Sequence, residues 1–506
     1  MLNFLLRRIL AGLATLLVAL FLMFLLVDAA IDPLQDLQES TAPNKAQLIA
    51  ARIELLNLDT NVVIRFFQWF GNLLTGDMGV AWRSMQPVTD LLAHAIGSTL
   101  QLVTAATILS LVIGVTVGIV SALRQYSGFD YGIIFLSFLL YSLPSFWVAV
   151  LLKQWAAIGF NDFLKDPVIS WTVIAAIALI AGVFWSLAVG GRAARRWQVF
   201  GIAFAATFGM FAYLQLSGWW ERPQIGPLLL LILAGGSAVA IAAVFAGLHN
   251  RRAMWTGLTT VGVGLALYLP MQVVFDSIDP NNWIIFGFAL VAMAVGFLIG
   301  RLYGGPDWGI SARTGAAVAF ITGGLIYIDQ VMQVWPPYFR ALSGRPIPTF
   351  GDRTPGLGGN YWVGVLDAFT HLLLPTATLV LIAFAAYTRY SRSSMLEVMS
   401  QDYIRTARAK GLPERAVVVR HGFRNTLIPL ATIVPIDIIT LIGGAVITEA
   451  VFARPGMGQL FVRSLGDAEI EPVMGYLLIT ATLAIIANIV ADIVYASIDP
   501  RIRLDA

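Results

Sequence analysis

Long apolar segments alternate with short polar connections along most of the 506-residue chain. Each apolar segment approaches the length of about 20 residues that an α-helix needs to cross the hydrocarbon layer of a bilayer. A helix satisfies all of its backbone groups internally, so uninterrupted apolar runs of this length favour spanning helices. The pattern predicts twelve of them, over residues 9–27, 99–122, 132–157, 168–189, 197–217, 226–248, 256–275, 283–300, 314–335, 369–388, 428–448 and 474–496.

The first apolar run could be either a cleaved leader or a retained helix. Arg7 and Arg8 precede a run from Ile9 to Val27 that is 19 residues long. The apolar part of a cleavable signal peptide covers about 7–15 residues, so the length favours a retained membrane helix. The stretch Asp28-Ala29-Ala30 keeps cleavage open as the alternative.

Composition supports a membrane protein and narrows the chemistry. The chain is 58% hydrophobic and 12% charged, whereas soluble domains are about 25% charged. Its net charge of +3 does not indicate a nucleic-acid partner, and the absence of cysteine excludes disulfides and thiolate catalysis. The sequence has no Walker A pattern, and its four histidines lack ligand spacing. We therefore expect no catalytic residue, no metal site and no cofactor site in this chain.

Lysine and arginine indicate the orientation of the spans. With twelve spans, 20 of the 32 Lys and Arg residues fall on the side of the two termini. Cytoplasmic loops of membrane proteins carry the excess of these residues. The distribution predicts that both termini are cytoplasmic.

Three connections differ from the short loops. Residues 28–98 mix polar and apolar positions on the external side, which predicts a small ordered cap. Residues 337–368 are rich in Gly and Pro and are typical of an irregular external loop. Residues 389–427 form a basic cytoplasmic loop.

The basic loop contains eight Lys and Arg residues between Arg389 and Arg424. The simplest interpretation is that these charges hold the loop in the cytoplasm. Its helix signals predict more, because Ser394 and Glu397 have the spacing of a capping box and Asp402 can cap a following helix. These signals predict a helix that begins near Asp402.

The same helix is predicted to end at Gly411, and Pro413 to begin a second helix. Ala407 and Ala409 are small residues in the first helix, and they would let another surface approach its backbone. A helix hairpin with small residues inside a basic rim predicts a docking element for a partner protein.

The segment Asp402-Tyr403-Ile404-Arg405-Thr406-Ala407-Arg408-Ala409-Lys410-Gly411-Leu412 resembles a known motif. It is similar to the loop with which permease subunits of bacterial ATP-binding-cassette importers, of the dipeptide/oligopeptide/nickel type, engage their ATPase. Arg405-Thr406-Ala407 stands where the generic motif has Glu-Ala-Ala, and Gly411 is its glycine. Pro429 lies eighteen residues past that glycine, farther than in the generic motif. Further stretches similar to this family are LLTGDMGVAWRSMQPV (73–88), LPSFWVAVLL (143–152), HLLLPTATLVL (371–381), GGAVITEAVFARPGMGQL (443–460) and DIVYASIDPRIR (492–503).

The resemblance covers roughly residues 1–157 and 365–506 and implies an all-α polytopic membrane protein. It implies a six-span core of the type I ABC importer permease, to which residues 158–336 add six further spans. The implied domains are the first helix 1–27, the cap 28–98, core spans 99–157, the insertion 158–336, the external loop 337–368, and core spans 369–506 with the coupling loop 389–427.

The resemblance also implies a function and partners. The chain would be the permease subunit of an importer of peptides or peptide-like solutes in the bacterial inner membrane, with nickel and other solutes left open. It would work with a second permease subunit, two ATP-binding-cassette ATPase subunits that hold ATP and Mg²⁺, and an extracytoplasmic substrate-binding protein. The implied ATPase-coupling residues are Asp402, Tyr403, Arg405, Thr406, Ala407, Arg408, Ala409, Lys410, Gly411 and Leu412.

Four polar residues near the membrane are candidates for the translocation path or a gate. Asp437 and Asp492 lie inside predicted spans, where acids usually face a bundle interior or water. Asn488 and Asp492 share one helix face, which favours hydrogen bonding between helices for this pair. Asp437 stays open between path and packing, and the resemblance places Glu449 in an outer loop that could be a gate or receptor contact.

Two other classes of protein compete with an importer permease. A twelve-span secondary transporter driven by an ion gradient needs intramembrane coupling charges and usually repeated halves. The intramembrane acids here are few, and the sequence shows no convincing internal repeat. A membrane-embedded enzyme needs a cluster of carboxylates or histidines at one membrane face, and the sequence contains none.

Overall fold

The computed structural model describes residues 2–247, 249–430, 433–434, 437 and 445–498, with side chains except those of residues 2–5, 307, 487 and 490–498. This part of the chain is almost entirely helical. Its β-structure is one two-stranded hairpin, Val80–Ala81 paired with Gln86–Pro87. The predicted fold class, an all-α polytopic membrane protein, is confirmed.

Nine helices in the described part are long and apolar enough to cross a membrane. Each overlaps one predicted span. Their bounds are Leu2–Ala30, Val88–Leu123, Trp171–Val189, Ala193–Leu216, Gly226–Phe245, Arg251–Ser277, Asn282–Gly304, Trp308–Gln333 and Tyr361–Ser400.

The predicted span 132–157 is wrong as a single straight helix. Two helical segments, Gly128–Ser142 and Ser145–Phe163, meet there at a bend of 100°. Leu143 has extended backbone (φ −81°, ψ 130°) because the ring of Pro144 disfavours the helical conformation in the residue before it. The second segment consists of Ser145–Leu152, a π-helix over Lys153–Gly159 and a last turn over Phe160–Phe163.

The described residues cover the last two predicted spans to different extents. The span 428–448 falls largely outside the described residues. The helix Ile470–Ile498 contains the span 474–496. The count of twelve spans therefore stays a prediction.

The remaining elements are short. The cap helix Val62–Leu74 packs on the helices Leu2–Ala30 and Ile470–Ile498, where Phe66 and Trp69 meet Phe24 and Val473 in one buried cluster. The short elements are Gln35–Gln38, Lys45–Leu55, Val62–Leu74, the 3₁₀ turn Gly305–Asp307, Trp335–Ala341, Asp402–Ala409, Glu414–Ala416, the π-helix Val417–Phe423, Val446–Val451 and Met457–Gly466.

Two long helices of the core, Val88–Leu123 and Tyr361–Ser400, lie in close contact along their lengths. A β-carbon on Gly114 would lie 2.9 Å from the Tyr387 Cβ atom, and one on Gly118 would lie 2.5 Å from the Thr388 carbonyl oxygen. Small residues at four-residue spacing let helix backbones approach each other in this way. The two helices therefore pack backbone against backbone at Gly114 and Gly118.

The insertion holds six of the nine long helices, and a buried carboxylate orders one end of it. Asp329 is 0% exposed. Its Oδ1 atom accepts from the backbone N–H of Ile225 at 2.6 Å, and its Oδ2 atom accepts from the Tyr268 hydroxyl at 2.6 Å and from Gln272 Nε2 at 3.1 Å. The carboxylate thus satisfies free N–H groups at the start of the helix Gly226–Phe245.

Hydrogen bonds between distant segments join helix ends that the sequence assigns to the same membrane side. Pairs on the predicted cytoplasmic side are Arg124 with Ala188, Arg252 with Gly304, and Arg415 with Val244. Pairs on the predicted external side are Thr99 with Glu449, Asn161 with Ile347, and Ile225 with Asp329. The structure thus agrees with the predicted alternation of the described spans.

Candidate functional site

The predicted coupling hairpin, residues 401–424, follows directly after the long helix Tyr361–Ser400. Gln401 has extended backbone (φ −71°, ψ 152°) and is the N-cap of the helix Asp402–Ala409. Asp402 was predicted to cap this helix through its side chain, and that prediction is wrong because Asp402 is already the first helical residue. Its carboxylate instead lies 3.5 Å from Arg405 Nη1 in an exposed ion pair.

The predicted capping box at Ser394 is also wrong. Ser394 and Glu397 lie inside the helix Tyr361–Ser400, which continues for twelve residues beyond the predicted span end at 388. The hairpin and the residues just after it stabilise this extension. Ser394 Oγ donates to the Thr426 carbonyl oxygen at 3.2 Å. Met395 is buried against Gly422, where a β-carbon would lie 3.0 Å from the Met395 methyl carbon.

The predicted helix end at Gly411 is confirmed. Gly411 has a φ of +76°, a left-handed conformation that glycine adopts without a steric penalty. The Gly411 N–H donates to the Arg408 carbonyl oxygen at 2.9 Å, and the Leu412 N–H donates to that of Ala407 at 3.3 Å. These two bonds form a Schellman motif, which satisfies the last carbonyls of the helix.

An ion pair joins the two arms of the hairpin. Pro413 is the N-cap of the second arm, which begins with Glu414–Ala416 and continues as the π-helix Val417–Phe423. Arg408 donates to both carboxylate oxygens of Glu414, from Nη2 at 2.7 Å and from Nε at 3.2 Å. The hydrogen bonds from Arg408 lower the pKa of Glu414 below its ordinary value of 4.5. The pair therefore stays charged at neutral pH.

The predicted docking surface is wrong in part, because one of its small residues lies in the buried interior of the hairpin. Ile404, Ala407 and Val417 form a buried cluster against Met399. Ala407, predicted to face a partner, is 4% exposed because it shares a helix face with Ile404 and packs on Val417. Ala409 remains exposed.

The opposite face of the hairpin is exposed and mostly basic. Tyr403 is held in place by Asn425, whose Nδ2 atom donates to the tyrosine hydroxyl at 3.1 Å. Among the predicted coupling residues, the exposed ones are Asp402, Tyr403, Arg405, Thr406, Arg408, Ala409, Lys410, Gly411 and Leu412.

A buried ion pair links the helix that enters the hairpin to two other core helices. Arg392 donates to Asp130 from Nε at 2.7 Å and from Nη2 at 2.9 Å, and Ser121 Oγ donates to the same carboxylate at 2.5 Å. Sequence reasoning missed this site, because it counted Arg392 only among the loop charges. The signal was available as Asp130, an acid at the start of an apolar run, which needs a partner when buried.

The insertion also contacts the hairpin. Arg415 Nη2 donates to the carbonyl oxygens of Val244, at 2.7 Å, and of Ala243. Both carbonyls belong to the last turn of the helix Gly226–Phe245. The hairpin thus touches the core and the insertion at once.

The structure describes the four predicted path residues to different extents. Asp437 is half-buried near Tyr387, and Asn488 is exposed on the helix Ile470–Ile498. The side chain of Asp492 lies outside the described residues. The predicted roles of Asp437, Asn488 and Asp492 stay predictions.

Glu449 has a capping role in this structure. It is 0% exposed, and its carboxylate accepts from Thr99 Oγ1 at 2.6 Å and from the N–H of Gly458 at 2.7 Å. Gly458 is in the first turn of the helix Met457–Gly466, whose positive end favours a carboxylate. The predicted gate or receptor contact at Glu449 stays a prediction.

Comparison with known proteins identifies the family. The family described as binding-protein-dependent transport system inner membrane component matches residues 238–504, which is 267 of the 506 residues and includes the hairpin. The chain belongs to this family. As a member, it is a multi-pass membrane component of a binding-protein-dependent transport system, as the sequence resemblance indicated.

Similar curated proteins point to the peptide branch of this family. The oligopeptide transport system permease protein OppB of Mycobacterium tuberculosis is 35% identical over 185 residues, or 37% of this chain and 55% of OppB. AppB, an oligopeptide transport system permease protein of Bacillus subtilis, is 40% identical over 205 residues, or 40% of this chain and 61% of AppB. The dipeptide transport system permease protein DppB of Escherichia coli is 40% identical over 148 residues, or 29% of this chain and 42% of DppB. The chain thus spans about half the length of the curated relatives it matches.

Proposed function

We propose that this chain is the permease subunit of an ATP-driven importer for peptides or peptide-like solutes. The observation that carries the proposal is the hairpin closed by Gly411: a short amphipathic helix with a buried inner face and an exposed basic outer face. Its relatives among transport permeases support the peptide class. The chain forms half of the translocation path and is not itself an enzyme.

The proposed partners follow from this role. A second permease subunit completes the path, two ATPase subunits bind the hairpin and hold ATP and Mg²⁺, and an extracytoplasmic binding protein delivers the solute. Both termini and the hairpin face the cytoplasm of a bacterial inner membrane, as the arginine distribution favours. No nucleic acid takes part.

The geometry supports a route for force through the chain. Movement of the ATPase subunits displaces the hairpin. Its inner face, and the hydrogen bond between Ser394 and Thr426 just after the hairpin, tie it to the helix Tyr361–Ser400. Asp130, which accepts from both Arg392 and Ser121, and the tight packing at Gly118 pass the movement to the helix Val88–Leu123. Rigid-body movement of these helices opens the path on alternate sides of the membrane.

The test uses two substitutions at Gly411 in the complete complex. No described atom outside the neighbouring residues lies within 4 Å of a β-carbon at this position, so a side chain there projects outward. Asp and Asn have the same shape and both tolerate the left-handed backbone, but Asp adds a negative charge to the basic face. We expect Gly411→Asp to insert normally and to lose its ATPase subunits on purification, while Gly411→Asn retains them. Equal retention of the ATPase subunits by both variants would contradict the docking role.

A further inference from the structure

A buried arginine on the predicted external side has unused hydrogen-bonding capacity. Arg454 lies between the helices Val446–Val451 and Met457–Gly466 and is 2% exposed. Its Nη2 atom donates to Gln101 Oε1 at 3.0 Å. Among the residues that the structure describes, its buried Nε and Nη1 atoms have no hydrogen-bond partner. Because Nε carries one N–H and Nη1 carries two, three of the five guanidinium N–H groups are unpaired.

Unpaired buried N–H groups on a charged side chain are costly, so their retention requires a cause. Burial lowers the pKa of Arg454. Glu449 and Asp352 attract the guanidinium, yet neither forms an ion pair with it within 4.0 Å in the described part of the chain. Glu449 already accepts from Thr99 and Gly458. Gln101 therefore positions the guanidinium, and its unpaired N–H groups remain available to another anion.

Arg454 lies beside a cavity on the predicted external side, the side from which an imported solute would arrive. Pro455 and Gly456, the next two residues, line a cavity of about 420 Å³ together with His94 and Gln459. The external loop covers the segment just before Arg454, because the Gly351 N–H donates to the Phe452 carbonyl oxygen at 2.9 Å. Displacement of this backbone contact, and of Ile347 in the same loop from its buried cluster with Phe452, would begin to uncover the arginine.

We propose that Arg454 binds the terminal carboxylate of the transported peptide when residues 342–360 of the external loop move away from Phe452. Every unmodified linear peptide carries this group whatever its sequence, so one arginine can recognise the whole class. A carboxylate supplies the acceptors that the unpaired N–H groups lack, and such charge-assisted bonds are roughly twice as strong as neutral ones. This inference rests on the proposed importer function.

The experiment measures uptake by cells that produce the complete transport complex. The probes are trialanine and its C-terminal amide, which differ only in the carboxylate. The readout is the uptake rate of trialanine divided by the uptake rate of the amide. The binding protein contributes its own preference to this ratio, but that contribution is the same for every permease variant. We expect Arg454→Gln to lower the ratio about tenfold through slower uptake of the free acid. Arg454→Lys keeps the charge and should lower the ratio less.

Two further variants complete the design. Arg340→Gln makes the same chemical change at an exposed arginine on the predicted external side, whose Nε atom donates within its own helix, to the Pro336 carbonyl oxygen. It should leave the ratio unchanged. Gln101→Leu keeps Arg454 but removes the acceptor that orients it, and should lower the ratio in the same direction as Arg454→Gln. It tests the inference even if Arg454→Gln does not fold.

The possible results separate this inference from the function on which it rests. A wild-type complex that imports neither probe contradicts the proposed function. A wild-type complex that imports trialanine, with an unchanged ratio in the Arg454 and Gln101 variants, overturns the carboxylate assignment and leaves the importer function intact. Equal slowing of both probes in Arg454→Gln also overturns the assignment, because it indicates a structural role.

Discussion

Arg415 donates a hydrogen bond of 2.7 Å from Nη2 to the carbonyl oxygen of Val244 and so joins the coupling hairpin to the insertion. The last carbonyls of a helix lack partners within the helix and carry partial negative charge, which a guanidinium satisfies. The approach is close: a β-carbon on Gly247 would lie 2.5 Å from Arg415 Nη1. Since the hairpin is the proposed ATPase contact, the insertion is placed to respond to the same movement.

Removal of this contact should loosen the end of the insertion helix. We expect Arg415→Ala to speed hydrogen exchange of the Ala246 and Gly247 amides, which donate to the Ala242 carbonyl oxygen in that last turn. A cation at a helix C-terminus contributes about 0.3–1 kcal/mol, so the acceleration should be about two- to fivefold. Hydrogen-exchange mass spectrometry of the complex measures it.

The matched control for Arg415→Ala is Arg420→Ala, which removes another exposed arginine of the same hairpin. Exchange at residues 246 and 247 should stay at the wild-type rate in this control. If both variants accelerate exchange there equally, the effect comes from general loss of positive charge and the specific contact has no role.

The ion pair between Arg408 and Glu414 predicts a pH dependence of the hairpin. The folded-state pKa of Glu414 is lowered from 4.5, so the pair stabilises the hairpin above pH 4.5 and loses its effect as the pH falls through the folded-state pKa. Both side chains are largely exposed, which limits the contribution to about 0.2–1 kcal/mol. We expect the Leu412 amide to exchange about 1.5- to fivefold faster in Glu414→Gln than in the wild type at pH 7.

The comparison of wild type and Glu414→Gln is repeated at decreasing pH. The difference in Leu412 exchange should shrink below pH 4.5 and vanish once Glu414 is protonated. Comparison at each pH removes the intrinsic pH dependence of exchange. A difference that persists after protonation would show that the substitution acts by some route other than the ion pair.

Glu449 should contribute strongly to stability, because its buried carboxylate accepts from Thr99 and from the first turn of the helix Met457–Gly466. Glu449→Ala leaves these donors unpaired, and we expect it to lower the free energy of unfolding by at least about 2 kcal/mol. Thermal unfolding in detergent measures the change. Glu397→Ala makes the same substitution at an exposed site and should unfold near the wild-type temperature. Equal loss in the two variants would contradict the capping role.

Much of the fold could be predicted because long spans leave strong local signals. The apolar runs gave the nine long helices, and Gly411 marked a helix end because few other residues adopt its backbone conformation readily. The bend at Leu143 could also have been predicted, since Pro144 restricts the backbone conformation of the residue before it. The break is missed when residues 132–157 are considered only as one uniform apolar run.

The details of the candidate site were harder to predict because they depend on distant partners. Ser394 has the local spacing of a cap, but Thr426 and the hairpin extend the helix through it. Ala407 has the composition of a docking surface, but Val417 buries it. Arg454 is an ordinary charge in the sequence, and only its burial and unpaired N–H groups single it out.

The most direct test of the hairpin's role is site-specific photo-crosslinking in the assembled complex. A photoreactive residue replaces Thr406, which is exposed on the hairpin's outer face, or Arg340, which is exposed on the predicted external side. The proposed coupling predicts a covalent adduct between this chain and an ATPase subunit from position 406 and none from position 340. An intact complex that gives no ATPase adduct from position 406, or gives one equally from position 340, would contradict it.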